Sequence, residues 1–242
     1  MSAPAFLIES LPTGDDLTLD GPEGHHAATV QRLRVGEELL LRDGRGGTAV
    51  AVVTAVGRGA LRLTITSRGY VEPSAHRVAV AQGIAKGDRS ELAVQAMTEV
   101  GVDEIIPWAA SRSVVRWQGE RGERARDRWV ATAREAAKQA RRARLPVVAA
   151  AGSTPELIRR IGAATAALVL HESATAPLAS AALPDSGEIL LVVGPEGGIT
   201  PEELAAFESA GAVAVRLGAE VLRTSTAGVA ALAVLAARTG RW

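Results

Sequence analysis

Cysteine is absent from the 242 residues, which excludes disulfides, thiolate nucleophiles and zinc–thiolate centres. Histidine is scarce: there are four, two of them adjacent at His25 and His26, and no H-x-E or H-E-x-x-H spacing, so no metal is expected. No apolar run reaches the roughly 18 residues needed to cross a bilayer. MSAPAFLIES lacks a basic stretch followed by an apolar core, so no secretory signal or membrane partner is indicated and the cytoplasm is the expected compartment. Aromatic residues make up 3%, too few to expect a platform for stacked bases, and the net charge of zero gives no global pull on a polyanion. What the chain has in quantity is apolar side chains, 47%, enough to bury one large domain or two smaller ones.

The most informative stretch is Ile189–Ala230. Ile189–Val193 is a short apolar run rich in β-branched residues that stops at Gly194-Pro195-Glu196-Gly197-Gly198, where no regular element continues. Thr200 then opens a helix as a T-x-x-E capping box with Glu203 and Pro201 in its first turn, and Gly211 ends it. Val213–Leu217 reads as a second buried strand, followed by a loop over Ala219–Thr226 and a small-residue helix over Ala227–Arg238. Two strand ends thus bring two loops to one edge of an α/β sheet, where such sheets hold ligands. GPEGG is neither a Walker A loop nor a dinucleotide fingerprint. It suits a nucleoside-type ligand read by main-chain groups, or it is a plain strand-to-helix turn.

Elsewhere, Glu38–Arg42, Thr48–Val56 and Leu61–Ser67 read as short strands separated by glycine turns, the pattern of a small β-barrel. After the breakers Pro73 and Ser74 the pattern changes to strands (Arg77–Ile84, Glu104–Trp108, Ala166–His171) alternating with helices (Ser90–Glu99, Arg121–Ala143). This is the signature of a parallel sheet with helices on its faces, and it predicts domains over 1–72 and 73–242. Basic residues gather over Arg112–Arg144, so a local surface for phosphates exists on a neutral molecule, unless pairs such as Glu120–Arg124 simply solvate a helix face.

Taken together, LVVGPEGG and LGAEVLRTSTA resemble the C-terminal signature of the SPOUT superfamily of S-adenosylmethionine-dependent RNA methyltransferases, specifically the RsmE-type 16S rRNA uridine-N3 methyltransferases. Lys86–Trp117 is similar to the family's K…E…Q-x-x-T-E-x-G-V…I-x-P…S-x-R-S-V segment, Arg134–Val148 to its E-x-x-x-Q-x-x-R-x-x-x-P segment, and His25–Gly47 to its H-x-x-x-V-L-R…G…D-G pattern. Ser225 departs from the pattern where many relatives carry Glu, Ala96 where Lys is common, and Gln31 where Leu is usual. No general base is therefore assigned at 225.

The resemblance implies a PUA-like β-barrel RNA-binding domain followed by a SPOUT α/β domain with a trefoil knot, a homodimer, S-adenosyl-L-methionine as cofactor and the 16S rRNA of the small ribosomal subunit as partner. Cofactor-binding residues are expected at Leu170, His171 and Glu172, at Val193, Gly194, Pro195, Glu196, Gly197 and Gly198, and at Leu217, Gly218, Leu222 and Thr226. Arg223 is the candidate catalytic cation facing the uracil, the alternative being a brace to Glu220 or Glu196. His171 is a candidate acceptor for the N3 proton, and Thr224 and Thr226 are candidate caps of the last helix. Arg32, Arg34, Arg42 and Arg45, with Arg112, Arg116 and Arg142, are candidate RNA contacts; Arg142 is expected to share a helix face with Glu135 and Gln139. Two other functions compete: a SPOUT enzyme acting on another atom such as a ribose 2′-oxygen, and a non-catalytic rRNA-binding assembly factor.

Overall fold

The structure, a computed structural model, describes residues 3–242. Two compact units emerge, one formed by residues up to Pro73 together with Ala137–Leu145, the other by Ser74–Ala136 and Pro146–Trp242.

The first unit is built on a five-stranded sheet in the order β1-β3-β4-β5-β2. The strands are β1 Ala5–Leu7, β2 Asp16–Leu19, β3 Glu38–Arg42, β4 Gly47–Gly57 and β5 Ala60–Tyr70, and the short helix α1 (Gly21–His25) runs into a single wide turn over His26–Val30. All pairs are antiparallel except β1 with β3. Alternation does the work: Leu39, Leu41, Ala49, Ala51, Val53, Leu61, Leu63 and Ile65 point into one core, closed by Phe6, Leu19 and Ala27. Register shifts at Val50/Ala51 and Val53/Ala55 bend β4 against β5, as bulges do. Residues 137–145 belong to this unit, and Lys138 forms a 2.9 Å ion pair with Glu23 there.

The second unit is a seven-stranded sheet whose strands β6 His76–Gly83, β7 Glu104–Ala109, β8 Val147–Val148, β9 Gly152–Ser153, β10 Ala166–Leu170, β11 Gly187–Val193 and β12 Val213–Val215 are all parallel. The order is β12-β10-β11-β6-β7-β8, with β9 also on β7. Successive residues of the central strands feed opposite faces. Val78, Val80, Ile189, Leu191 and Val193 meet α2 (Arg89–Glu99), α3 (Gly119–Gln139) and α6 (Thr224–Arg238), while Ala79, Ala81, Leu190 and Val192 meet α4 (Thr154–Ala163) and α5 (Pro201–Ser209). Burial on both sides is why these strands read as unbroken apolar runs. Below the sheet, Arg77 and Arg160 each pair with both Glu104 and Glu188, locking the starts of three strands together.

Several expected boundaries shift. α3 stops at Gln139, and Arg141 adopts a positive φ of 54°, so Arg142 lies beyond the helix and does not share its face with Glu135 and Gln139. β12 is shorter than Val213–Leu217 and lies at the sheet edge with Val213 exposed, so only Val215 is a buried strand residue. α6 begins three residues earlier than Ala227, which brings Thr224 and Ser225 into its buried first turn. α4 has no counterpart among the expected helices, although Ser153 and Glu156 form its capping box.

Candidate functional site

The parallel strands leave their carboxyl ends on one edge. β6 is followed by a helix on one face and its neighbour β11 by a helix on the other, so the chain diverges between them, the arrangement that opens a ligand crevice. Gly83, ending β6, allows the closest approach: a Cβ there would lie 2.4 Å from the Pro195 nitrogen, so only glycine lets the two backbones abut. The glycine loop is further held by the Lys86 N–H, which donates to Glu196 Oε1 at 3.2 Å, and by Arg112, whose Nη1 donates to the Gly197 carbonyl at 3.2 Å.

A second tie crosses the sheet end. Gln82 is 1% exposed, and its Nε2 donates to Thr224 Oγ1 at 3.0 Å, with longer contacts to the Thr224 and Gly83 carbonyls. Thr224 Oγ1 in turn donates to the Gly194 carbonyl at 2.6 Å. Because a carbonyl only accepts, the hydroxyl proton is committed to Gly194, and the Gln82 amide is oriented with its NH₂ toward Thr224. Thr224 is thus no cap; Arg223 takes the N-cap position, and Thr226 Oγ1 donates to the Arg223 carbonyl at 3.2 Å.

Between these loops lies a cavity of about 450 Å³. Leu170, His171 and Glu172 line it from β10, Val193 to Glu196, Gly198 and Ile199 from β11, and Val215 to Thr224 with Ala227 from the segment between β12 and α6. Two expected members fall outside it: Gly197, where an added Cβ would lie 2.9 Å from the Arg112 Cβ, and Thr226, which is exposed on α6. The wall is apolar at Leu170, Val193, Leu217 and Leu222. Among the described residues, no hydrogen bond engages the main-chain N–H or C=O groups of Leu217 through Leu222. A stretch of main chain with all its donors and acceptors uncommitted, folded around a cavity, is ready to read a ligand's polar edge.

The charged lining divides clearly. Among the described residues, the Arg223 guanidinium makes no hydrogen bond or ion pair, so the brace to Glu220 or Glu196 does not form. His171 Nδ1 accepts the Ser173 N–H at 3.2 Å and contacts Ser173 Oγ at 2.8 Å. That nitrogen is occupied and a neutral ring then carries its proton on Nε2, so His171 is poorly arranged to accept a substrate proton. Glu203, buried behind the site, holds Ser111 N–H and Oγ, Thr154 Oγ1 and the Thr200 N–H on its carboxylate. Burial alone would push its pKa up, but those hydrogen bonds outweigh it and hold the group below the usual carboxylate range.

Arg89, the first residue of α2, also lines the cavity, although nothing in its local sequence marks it. The arginines expected to meet RNA divide between the two units. Arg112 and Arg116 are exposed in the second unit. In the first, Arg32 is exposed with a φ of 55°, Arg34 is exposed, Arg45 Nη2 donates to the Glu9 carbonyl at 2.7 Å, and Arg42 is half-buried, its pKa lowered by burial.

The RNA methyltransferase domain family matches residues 72–236, and the RNA methyltransferase PUA domain family matches residues 19–66. The chain is 49% identical to Ribosomal RNA small subunit methyltransferase E of Mycobacterium bovis over all of its length and 94% of the relative's, and 31% identical to that of Bacillus subtilis over 96% and 93%. The crystal structure of a Ribosomal RNA small subunit methyltransferase E from Neisseria gonorrhoeae bound to S-adenosyl methionine superposes with a TM-score of 0.86 at 27% identity, covering 98% of each chain. The SPOUT-type parallel sheet, the PUA-like unit ahead of it and these matches agree: the chain belongs to the RNA methyltransferase family of the ribosomal RNA small subunit methyltransferase E type.

Proposed function

We propose that the chain transfers a methyl group from S-adenosylmethionine to N3 of a uridine in the 16S rRNA of the small ribosomal subunit. The observation that carries the reading is the uncommitted main chain of Leu217–Leu222 facing the cavity beside the glycine loop. A cavity of about 450 Å³ suits an adenosyl compound, with apolar side chains for its base and main-chain groups for its polar edge. Leu170, Val193, Leu217 and Leu222 would enclose the base, and Gly194–Gly198 and Gly218 would approach the sugar and amino-acid portion. When bound, the cofactor supplies an electrophilic sulfonium methyl. The protein holds the uracil edge-on to that position, which makes the encounter effectively unimolecular, and excludes water with the two loops. Arg223, unpaired among the described residues and lining the cavity, meets the negative charge that spreads onto the uracil carbonyls as N3 loses its proton.

The finer features of the reading are a trefoil knot in which the segment after Gly218 threads through an earlier loop, a homodimer that completes the site, a cytoplasmic enzyme, and division of labour between an RNA-holding domain over 1–72 and a methyl-transferring domain over 73–242. In this scheme Arg32, Arg34 and Arg45, with Arg112 and Arg116, meet phosphates rather than bases. Deletion of the gene followed by mapping of modified nucleosides in 16S rRNA should remove a single N3-methyluridine, and adding the purified protein and cofactor to subunits from the deletion strain should restore it. Unchanged rRNA modification would reject the proposal.

A further inference from the structure

Methylation at N3 requires removal of a weakly acidic imide proton, and among the described residues His171, Ser225 and Glu196 are poorly arranged for the task. His171 Nδ1 is occupied by Ser173, and Ser225 stands in the buried first turn of α6 without a basic group. Glu196 gives one carboxylate oxygen to the Lys86 N–H, leaving Glu172 and Glu220 as the other acidic residues of the lining. Glu172 and Glu220 are the carboxylates that would compete with solvent for the proton. The cations of the lining are Arg89, Arg216 and Arg223.

Two of these cations are brought together by the fold. Arg89 opens α2 and Arg223 caps α6, and both helices start at the carboxyl edge of the sheet and pack side by side. The packing is close: a Cβ on Gly228 of α6 would lie 2.7 Å from Met97 Sδ of α2. Among the described residues, neither guanidinium has a hydrogen-bonding or ion-pair partner, yet both line the cavity. Arg216 is placed differently, with its backbone tied to Ala176 and Leu178 on the side of the edge strand β12. Uracil N3 lies between two carbonyl oxygens, and its anion shares charge with both.

We infer that Arg89 and Arg223 act as a pair on the two uracil carbonyls, making N3 acidic enough that its proton passes to bulk solvent in an equilibrium before methyl transfer, with no side chain as general base. This rests on the uridine-N3 reading above. The N3–H bond breaks with its proton passing to water. The N3 electron pair then forms the bond to the methyl carbon as the carbon–sulfur bond breaks, its pair going to sulfur. Arg89 is thereby a second catalytic cation.

Single-turnover methylation of small subunits from the deletion strain, followed across pH, tests the pair. The wild-type rate should rise with pH to a plateau as N3 ionises. In Arg89→Gln the midpoint should move up by about one pH unit, about tenfold in rate below the plateau, with the plateau rate kept. Arg89→Lys should recover part of the shift, because it restores charge without the planar fork. Calorimetric titration with S-adenosylmethionine should show the same affinity in wild type and Arg89→Gln, so that a folding or cofactor defect would be seen. An Arg89→Gln profile that overlays the wild type, or one lowered equally at every pH, would overturn the inference. So would a loss of about 100-fold or more in Glu172→Gln or Glu220→Gln, the size expected on removing a general base. If wild-type protein leaves N3 unmethylated while binding the cofactor, the uridine-N3 reading fails instead.

Discussion

Thr224→Val is the sharpest probe of how the site is held. The substitution keeps the side-chain shape and removes one hydroxyl that donates to Gly194 at 2.6 Å and accepts from Gln82 at 3.0 Å. A neutral hydrogen bond contributes about 1 kcal/mol net, and a buried partner left unsatisfied costs about 1–3 kcal/mol. Gln82 retains longer contacts to the Thr224 and Gly83 carbonyls, which softens the loss on its side. The expected destabilisation is about 2 kcal/mol, a fall of roughly 4–8 °C in the thermal transition for a chain of this size. Because the hydroxyl ties the glycine loop to the start of α6, cofactor affinity should also fall, by about tenfold for each 1.4 kcal/mol spent reordering the loops. Thermal unfolding and calorimetric titration with S-adenosylmethionine measure the two effects. Thr224→Ser should restore both, and in a double-mutant cycle Gln82→Ala should couple to Thr224→Val by about 1 kcal/mol. The reasoning is refuted if Thr224→Val leaves both stability and affinity at wild-type values, or if the cycle shows the two residues to be independent.

Other consequences follow from the same geometry. Gly83→Ala places a methyl against the Pro195 backbone, where nothing flexible can yield, so the loop must shift and cofactor binding measured by calorimetry should drop by more than tenfold, roughly the price of about 1.4 kcal/mol or more of strain. Glu203 has a depressed folded-state pKa, so its contribution is complete above the ordinary carboxylate value of about 4.3 and disappears as pH falls through the lower folded value. Urea midpoints compared near pH 3 and pH 6 should therefore converge between wild type and Glu203→Gln at the acid end, with the wild type more stable at pH 6 by about 2 kcal/mol; equal midpoints at pH 6 would contradict it. His171→Asn should retain most of the methylation rate, within about tenfold, since its ring bonds locally to Ser173; a loss of 10²-fold or more would restore it as a proton acceptor.

Much of the site was legible in the chain because it is written in local chemistry. ILLVV followed by GPEGG can only be a buried strand breaking into a loop, and Thr200 with Glu203 announces the helix that follows. Where readings missed, distant or unsignalled partners decided. α6 starts at Thr224 because Gln82, far away in the chain, and Gly194 bind its hydroxyl, which no local window around RTSTA reveals. Gln82 looks like an ordinary polar residue at a strand end, and only the sheet order buries it. α3 ends within an Ala/Arg-rich run with no glycine or proline, the reversal being carried by Arg141 at a positive φ. α4 did carry a signal, S-T-P-E, that its short apolar stripe made easy to pass over. Arg89 reaches the cavity through the packing of α2 beside α6, a tertiary fact with no trace in its neighbours.

The central claim is that the uncommitted main chain between β12 and α6 grips the cofactor. Amide hydrogen exchange of residues 217–222, followed with and without saturating S-adenosylmethionine, tests it directly. Those amides have no partner among the described residues, so they should exchange freely alone and slow by about tenfold or more when the cofactor is added. Exchange there that is unchanged under conditions where calorimetry shows the cofactor bound would contradict the account.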